Sequence, residues 1–416
     1  MWQRPWRLKE GVTLCVGLVL IGLVLQYAAG GMAWGNLSWP LNVEILVVYL
    51  IALGVLYSLR RRIYFVRWAM SYAAAIPALA FVVCATLVMG LTRQVADGHP
   101  AADPLGLTKM LSFWPFVLLY WWMTLILGLV AIKQLAGLRW RRLPVTCLHV
   151  GLLVAVLCAT LGSADMRRLT MTVRVGSTEW RATDALEVMH ELPVAIELHD
   201  FTIDEYPPKV MAVDNATGAI LPEGKGEHLL LDEGVEAGVV NGWSVEVLDK
   251  IDYAAPTSAY ADTTDYVEWP TMGATSAARI RVTPPDGGSP REGWVSCGSF
   301  AFPYRALRAD SAVSFIMPDR EPRRFASQVT IYTQSGLVED TLIEVNKPAK
   351  VEGWKIYQLS YDETKGRWSD ISVFEFVTDP WLPCVYAGIL LMALGAVGMF
   401  LTAHRYGAAA ANEDKS

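Results

Sequence analysis

The sequence contains no CxxC pair, P-loop, GxGxxG, HExxH or GxSxG, and no zinc-ligand spacing. No nucleophile with a base beside it is evident, so hydrolase and nucleotide-driven chemistry find no centre here. Charge is scarce at 18% of residues. Cysteine is absent from most of the polar sequence: Cys15, Cys84, Cys147, Cys158 and Cys384 fall in apolar runs, leaving only Cys297 elsewhere. One cysteine cannot form an intramolecular disulfide, so the polar region must be held by its hydrophobic core, which about 210 residues can supply. A thiol-redox carrier needs vicinal or paired cysteines, and the lack of CxxC counts against that role.

What is present is apolar length. The chain of 416 residues is 53% hydrophobic with a mean hydropathy of +0.31, a membrane-protein composition. Six segments are long enough to span a bilayer: 11–29, 43–59, 71–92, 112–132, 144–164 and 380–403. The first is too long and too weakly punctuated for a cleaved signal peptide. Basic residues flank the spans alternately. Arg4, Arg7 and Lys9 precede the first, Arg60, Arg61, Arg62 and Arg67 follow the second, and Lys133, Arg139, Arg141 and Arg142 follow the fourth. Arg405 and Lys415 lie in the tail. This pattern places both termini in the cytoplasm and the long region 165–379 outside. Residues 165–378 hold 34 acidic and 20 basic residues, and the rest is net basic. An acidic external domain does not suit nucleic acid or an anionic membrane surface.

The expected organisation is a two-helix hairpin with a basic loop (1–70), a three-helix core (71–164), a β-rich external domain (165–379), a last helix (380–403) and an irregular alanine-rich tail (404–416). The fold class is thus a six-span α-helical membrane protein with a large mostly-β domain between the fifth and sixth helices. Trp34 and Trp39 fit an interfacial belt, and Pro77 marks a kink in the third span. From 167 onward the period changes to alternation, as in RLTMTVRVG, VAIELHDFTID, WSVEVLDKID and ISVFEF, with turns at PDGG, YPPK and NKP. A sandwich or open barrel is expected.

The fifth run, PVTCLHVGLLVAVLCATLGSA (Pro144–Ala164), has no Asp, Glu, Lys or Arg but contains His149. An ionisable side chain inside a span is a functional candidate, set against a histidine bonded to a neighbouring helix or reaching the headgroups. Five residues past Pro144, at about 1.5 Å per residue, it lies about 7–8 Å into the span, in the inner leaflet. In the fourth span Trp121 and Trp122 fall near mid-membrane, where helix packing competes with a flat platform for a planar ligand. His99, His190, His199 and His228 are isolated in sequence and read as surface residues.

The histidine-bearing LHVGLLVAVLCATLG, the external FTIDEYPPK, and VNKPAKVEGWKIYQLSYDE followed by ISVFEFVTDPW resemble the ResB (CcsB) family of System II cytochrome c biogenesis over residues 71–403. The external VNKP…LSYD stretch is the specific part. Residues 11–59 look like an addition to the family's usual spans. The resemblance implies a bacterial inner-membrane protein that handles haem b transiently with a CcsA-type partner, which carries the tryptophan-rich haem-binding segment. Together they attach haem to CxxCH motifs of apocytochrome c. His149 corresponds to the position thought to hold haem iron, making it the candidate axial ligand, with the second ligand from the partner. The chain would be non-catalytic alone and a subunit of a haem lyase complex. Two other classes compete: a thiol-redox accessory of the same pathway, and a receptor with an external sensor domain. Against the receptor, the cytoplasmic loops are too short to house an output domain.

Overall fold

The computed structural model describes residues 2–95, 99–224, 226–258 and 265–413. The side chains of Arg141 and Arg405, and all of Lys415, lie outside the described residues. Among the described residues seven α-helices form: α1 (Leu8–Ala29), α2 (Leu41–Leu59), α3 (Tyr64–Ala69), α4 (Tyr72–Leu91), α5 (Trp114–Ala136), α6 (Leu143–Gly162) and α7 (Leu382–Glu413). All but the short α3 contain a window long and apolar enough to cross a membrane, with mean hydropathy 2.0–2.3. The fold is a multi-pass membrane protein with a large mostly-β domain.

Three differences from the sequence reading have local causes. The second loop contains α3, six residues anchored by Val66, Trp68 and Ala69, all buried. The fourth span is shifted to Trp114–Ala136, because Phe113 is extended and Pro115 opens the helix, where its missing N–H costs nothing. The tail expected to be irregular instead continues α7 to Glu413, as its run of alanines, the best helix formers, allows.

The chain divides into two compact units, one comprising 1–168, 185–188 and 377–416, the other 169–184 and 189–376. In the first, α5 is the most enclosed helix, with 61% of its apolar window buried against 11% for α1, α2 and α7. Lipid supplies no hydrophobic drive between helices, so small residues that let backbones touch govern the packing. A methyl at Gly22 of α1 would come within 2.5 Å of the Pro115 backbone on α5, and one at Gly128 of α5 within 2.6 Å of Leu53 on α2. Between α6 and α7 the approach is closest. A methyl at Gly151 would meet the Gly388 carbonyl at 2.6 Å, one at Gly388 the Ala155 nitrogen at 2.7 Å, and one at Gly395 the Pro144 carbonyl at 2.6 Å. The helices are therefore antiparallel and in backbone contact.

A polar clamp closes one end of this unit. Asp165, just past α6, accepts hydrogen bonds from the Trp39 backbone N–H, Asn42 Nδ2 and Trp381 Nε1, each at 2.7 Å. Asn42 is fully buried and also donates to the Leu161 carbonyl at 3.1 Å. One carboxylate so joins the start of α2, the end of α6 and the start of α7. Residues 11–59, which the resemblance did not explain, are thereby bound into the bundle.

The second unit is built from strands β1 (Arg167–Arg174), β2 (Thr178–Thr183), β3 (Met189–Glu205), β4 (Lys209–Asp214), β5 (Ile220–Leu221), β6 (His228–Leu230), β7 (Ala237–Val240), β8 (Trp243–Pro256) and β9 (Tyr266–Glu268). There follow β10 (Thr275–Thr283), β11 (Arg291–Ser296), β12 (Leu307–Arg308), β13 (Val313–Ile316), β14 (Pro322–Thr333), β15 (Val338–Glu344), β16 (Ala349–Val351), β17 (Trp354–Tyr361) and β18 (Ile371–Thr378). Eight pair in the order β15-β14-β3-β2-β1-β18-β17-β16. The end strands β15 and β16 are consecutive in the chain and joined through a Glu344–Lys347 bridge, so the sheet curls around one core. Met171, Ile196, Leu198, Val329, Ile331, Ile356, Phe374 and Phe376 fill it. The remaining strands make two five-stranded sheets, one around β8 and β10, the other around β4 and β13. Their inner faces share a second core of Val210, Val245, Ile280, Val295 and Phe315. The expected mostly-β domain is present, but as one eight-stranded and two five-stranded sheets where a single sandwich or open barrel was expected.

Counting from the glycine contacts along α6 and α7 puts Cys158 opposite Cys384. The two thiols interact and are free. Copper-phenanthroline oxidation of the detergent-solubilised protein should therefore protect two of the six cysteines from maleimide labelling after denaturation, and Cys158→Ser should abolish the protection. Six reactive thiols after oxidation of the wild-type protein would refute this helix register.

Candidate functional site

Two places carry candidate chemistry. The first is His149 on α6. The face of α6 carrying Pro144, Leu148, Gly151 and Ala155 meets α7, and His149, one residue on from Leu148, turns away from that contact. Its ring is half-buried. Nδ1 lies 2.9 Å from the Val145 carbonyl oxygen, one turn back, and 3.4 Å from the Gln134 side-chain nitrogen on α5. A carbonyl oxygen only accepts, so Nδ1 carries the proton, and Nε2 is left with its lone pair. Among the described residues Nε2 has no hydrogen-bond partner. A neutral imidazole in this tautomer is fit to ligate a metal through Nε2.

The two tryptophans point to different clusters. Trp122 is 8% exposed, with Phe65 at 5.7 Å and Trp68 stacked at 6.3 Å. It is enclosed in helix packing, which leaves no open ring face for a planar ligand. Trp121 sits edge-on to Tyr49 at 5.8 Å and packs in the cluster that includes Val150 and Leu153 of α6. Only Trp121 keeps the possibility of an aromatic platform. His99, His190, His199 and His228 are exposed. His190 pairs with Asp184 at 2.9 Å and His199 with Thr330 at 2.6 Å, and no group of three or more metal-ligating side chains occurs among the described residues.

Gln134 escaped the sequence reading because the expected span ended at 132. The signal was available: an amide within one turn of the end of an otherwise apolar run. The facing pair Cys158 and Cys384 was missed for a different reason. Its members are 226 positions apart in the sequence, and only the α6–α7 register joins them.

The second place is a cavity of about 570 Å³ within the β domain. At its wall Glu205, at the end of β3, sits between two guanidinium groups, Arg320 Nε at 3.3 Å and Arg367 at 3.6 Å; all three side chains are 16% exposed. Arg320 also donates to the Tyr206 carbonyl at 3.0 Å. Arg367 donates to the Asp252 and Ala274 carbonyls at 3.1 Å and lies against the Tyr253 and Trp368 rings. Burial pushes the Glu205 carboxyl upward, and the two arginines pull it partway back. Cys297 lines the same cavity, its thiol 3.4 Å from the Thr275 hydroxyl.

Most of this lining comes from a stretch with recognisable kin. The family model described as ResB-like family matches residues 295–369, which run from β11 through β17 to the turn at Gly366–Trp368. This segment is ResB-like. The match includes the VNKPAKVEGWKIYQLSYDE segment and contributes Cys297, Arg320, Arg367 and Trp368 to the cavity. His149 lies outside it. The ResB-like family is associated with cytochrome c biogenesis. No curated protein matches the chain.

The charge cluster makes a testable pH dependence. Arg320→Met removes one of the two groups that hold the Glu205 carboxyl down, so burial drives that carboxyl further above its unfolded value of about 4.3. A raised folded pKa gives stability that is full below the unfolded value and lost as pH rises through the folded one. The β domain of the variant should be less stable at both pH 4 and pH 7, by roughly 1–3 kcal/mol. The deficit in its thermal unfolding, followed by β-sheet circular dichroism, should be larger at pH 7 than at pH 4. An equal deficit at the two values would show that Arg320 acts only through its backbone bonds.

Proposed function

We propose that this chain is the haem-handling and scaffold subunit of a System II cytochrome c assembly complex. It works with a CcsA-type membrane protein to deliver haem b for attachment to CxxCH apocytochromes. The observation that carries this reading is the His149 tautomer: Nδ1–H is committed to Val145 and the Nε2 lone pair is uncommitted. Haem iron coordinated there would offset the cost of an imidazole in hydrocarbon. Val145 accepts the Nδ1 proton, α7 holds the helix, and His149 would supply one ligand to the iron. His149 is the one histidine in the six membrane-length windows, so the second axial ligand is assigned to the partner. The ResB-like domain, acidic and built on two cores, is the part assigned to partner and apocytochrome contact.

The flanking charges support an inner-membrane placement with both termini cytoplasmic, the β domain outside and His149 in the inner leaflet. Reporter fusions after Arg142 and after Asp200 should score opposite sides of the membrane; the same side for both would refute this topology.

A thiol-redox role in the same pathway is the second reading, favoured by the Cys158–Cys384 contact. The double variant Cys158→Ser/Cys384→Ser separates the two, since haem delivery through His149 predicts near-normal maturation and a redox role predicts its loss.

For the main reading, His149→Ala should abolish cytochrome maturation and lower the haem that co-purifies with the complex, while protein levels hold. Exogenous imidazole should restore part of the haem by filling the vacated position. His149→Gln keeps a hydrogen-bonding group without a comparable iron ligand. A structural role, worth roughly 1–2 kcal/mol in a membrane, tolerates it; a ligand role does not. Wild-type maturation and haem content in His149→Gln would defeat the proposal.

A further inference from the structure

The Gln134 side chain poses a bonding conflict whose resolution gives it a role. Its nitrogen faces His149 Nδ1 at 3.4 Å, yet Nδ1 already donates to Val145, so two N–H groups confront each other. The other end of the same amide, Oε1, is buried with no hydrogen-bond partner, an unfavourable state for a carbonyl in an apolar setting. A half-turn of the amide about its terminal torsion exchanges the two ends, removes the facing donors and gives the unpartnered oxygen a donor. Oε1 then accepts from Nδ1–H, and the NH₂ group takes the other position.

We infer that Gln134 is a positioning residue for His149, presenting its amide oxygen to Nδ1–H from the neighbouring helix. Val145 alone is a weak hold. Its carbonyl belongs to the helix ladder of α6 and accepts the imidazole proton only as a second donor. An acceptor on α5 adds a contact from outside the helix, so the ring is held from two directions and its rotation is restrained. Accepting from Nδ1–H also raises the basicity of Nε2, as acceptors behind metal-bound histidines do. Gln134 lies in the last turn of α5 and His149 in the second turn of α6, so the bond also links the two helices close to their connecting loop.

The functional consequence rests on His149 being the iron ligand; the bond itself does not. The test therefore has two parts. The first uses the haem-free full-length protein in nanodiscs with ¹⁵N-labelled histidine, the His149 signals being assigned by their loss in His149→Gln. The wild-type protein should show a single neutral tautomer, protonated at Nδ1. Gln134→Leu, similar in size but without an acceptor, should give a mixture of tautomers. Gln134→Glu, which restores an acceptor, should return the Nδ1–H form. A wild-type tautomer in Gln134→Leu, or a failure of Gln134→Glu to restore it, would overturn the inference.

The second part measures haem affinity of the co-purified complex by titration. Removing an acceptor behind a metal-bound histidine costs about tenfold or more in affinity, and Gln134→Leu should show that loss while Gln134→Glu does not. If Gln134→Leu shifts the tautomer but leaves affinity unchanged, the positioning role toward iron is overturned. If His149→Gln itself binds haem normally, the failure belongs to the ligand reading and not to the Gln134 bond, which the tautomer measurement decides independently.

Discussion

The backbone contact between α6 and α7 is the constraint from which the membrane unit follows. Gly151, Gly388 and Gly395 let the two helices touch so closely that a methyl at any of them would meet backbone atoms at 2.6–2.7 Å. That contact occupies one face of α6 and fixes which residues turn elsewhere. His149 is one of them. Dispersion between backbones does the work that hydrophobic burial would do in water, because lipid is as apolar as leucine. At the far end of the same pair, Asp165 binds α2, α6 and α7 with three hydrogen bonds of 2.7 Å. The helix that carries the candidate ligand is thus held along its length by packing and at its end by charge-assisted hydrogen bonds.

This rigidity bears on chemistry. A histidine intended to hold iron must keep one tautomer, and the tautomer is set by what the other ring nitrogen meets. In α6 that is the Val145 carbonyl, supplied by the helix itself four residues back. The arrangement requires no charged partner in α6, which explains how a run without a single acidic or basic residue besides His149 can present a competent imidazole. The β domain uses the opposite device: Glu205 is partly buried against two arginines that also donate to backbone carbonyls and, from Arg320, to the Ser276 hydroxyl, so the charges brace the cavity wall.

Much of this was legible in the sequence, for identifiable reasons. Six spans follow from apolar length, which no tertiary contact can override in a bilayer. The strand-rich domain follows from the change of period after 167, and the position of His149 from its isolation in an uncharged run. Prolines 115 and 144 set two helix starts more sharply than hydropathy did. What the sequence withheld depends on pairing between distant elements. The Asp165 clamp joins residues 126 and 216 positions apart, and Cys158 meets Cys384 only through the glycine register. The curled sheet and the sandwich share one strand vocabulary, so alternation alone could not divide them. Mid-membrane placement suggested a ligand platform for Trp122, but α3, a helix the hydropathy did not reveal, brings Phe65 and Trp68 over its ring.

The central claim is that the chain holds haem iron through a membrane imidazole. Its most direct test is the absorption spectrum of the chain purified together with its membrane partner, recorded oxidised and dithionite-reduced. The account predicts a Soret band and, on reduction, the sharp visible bands of low-spin haem. An intact complex with no Soret absorption would contradict it.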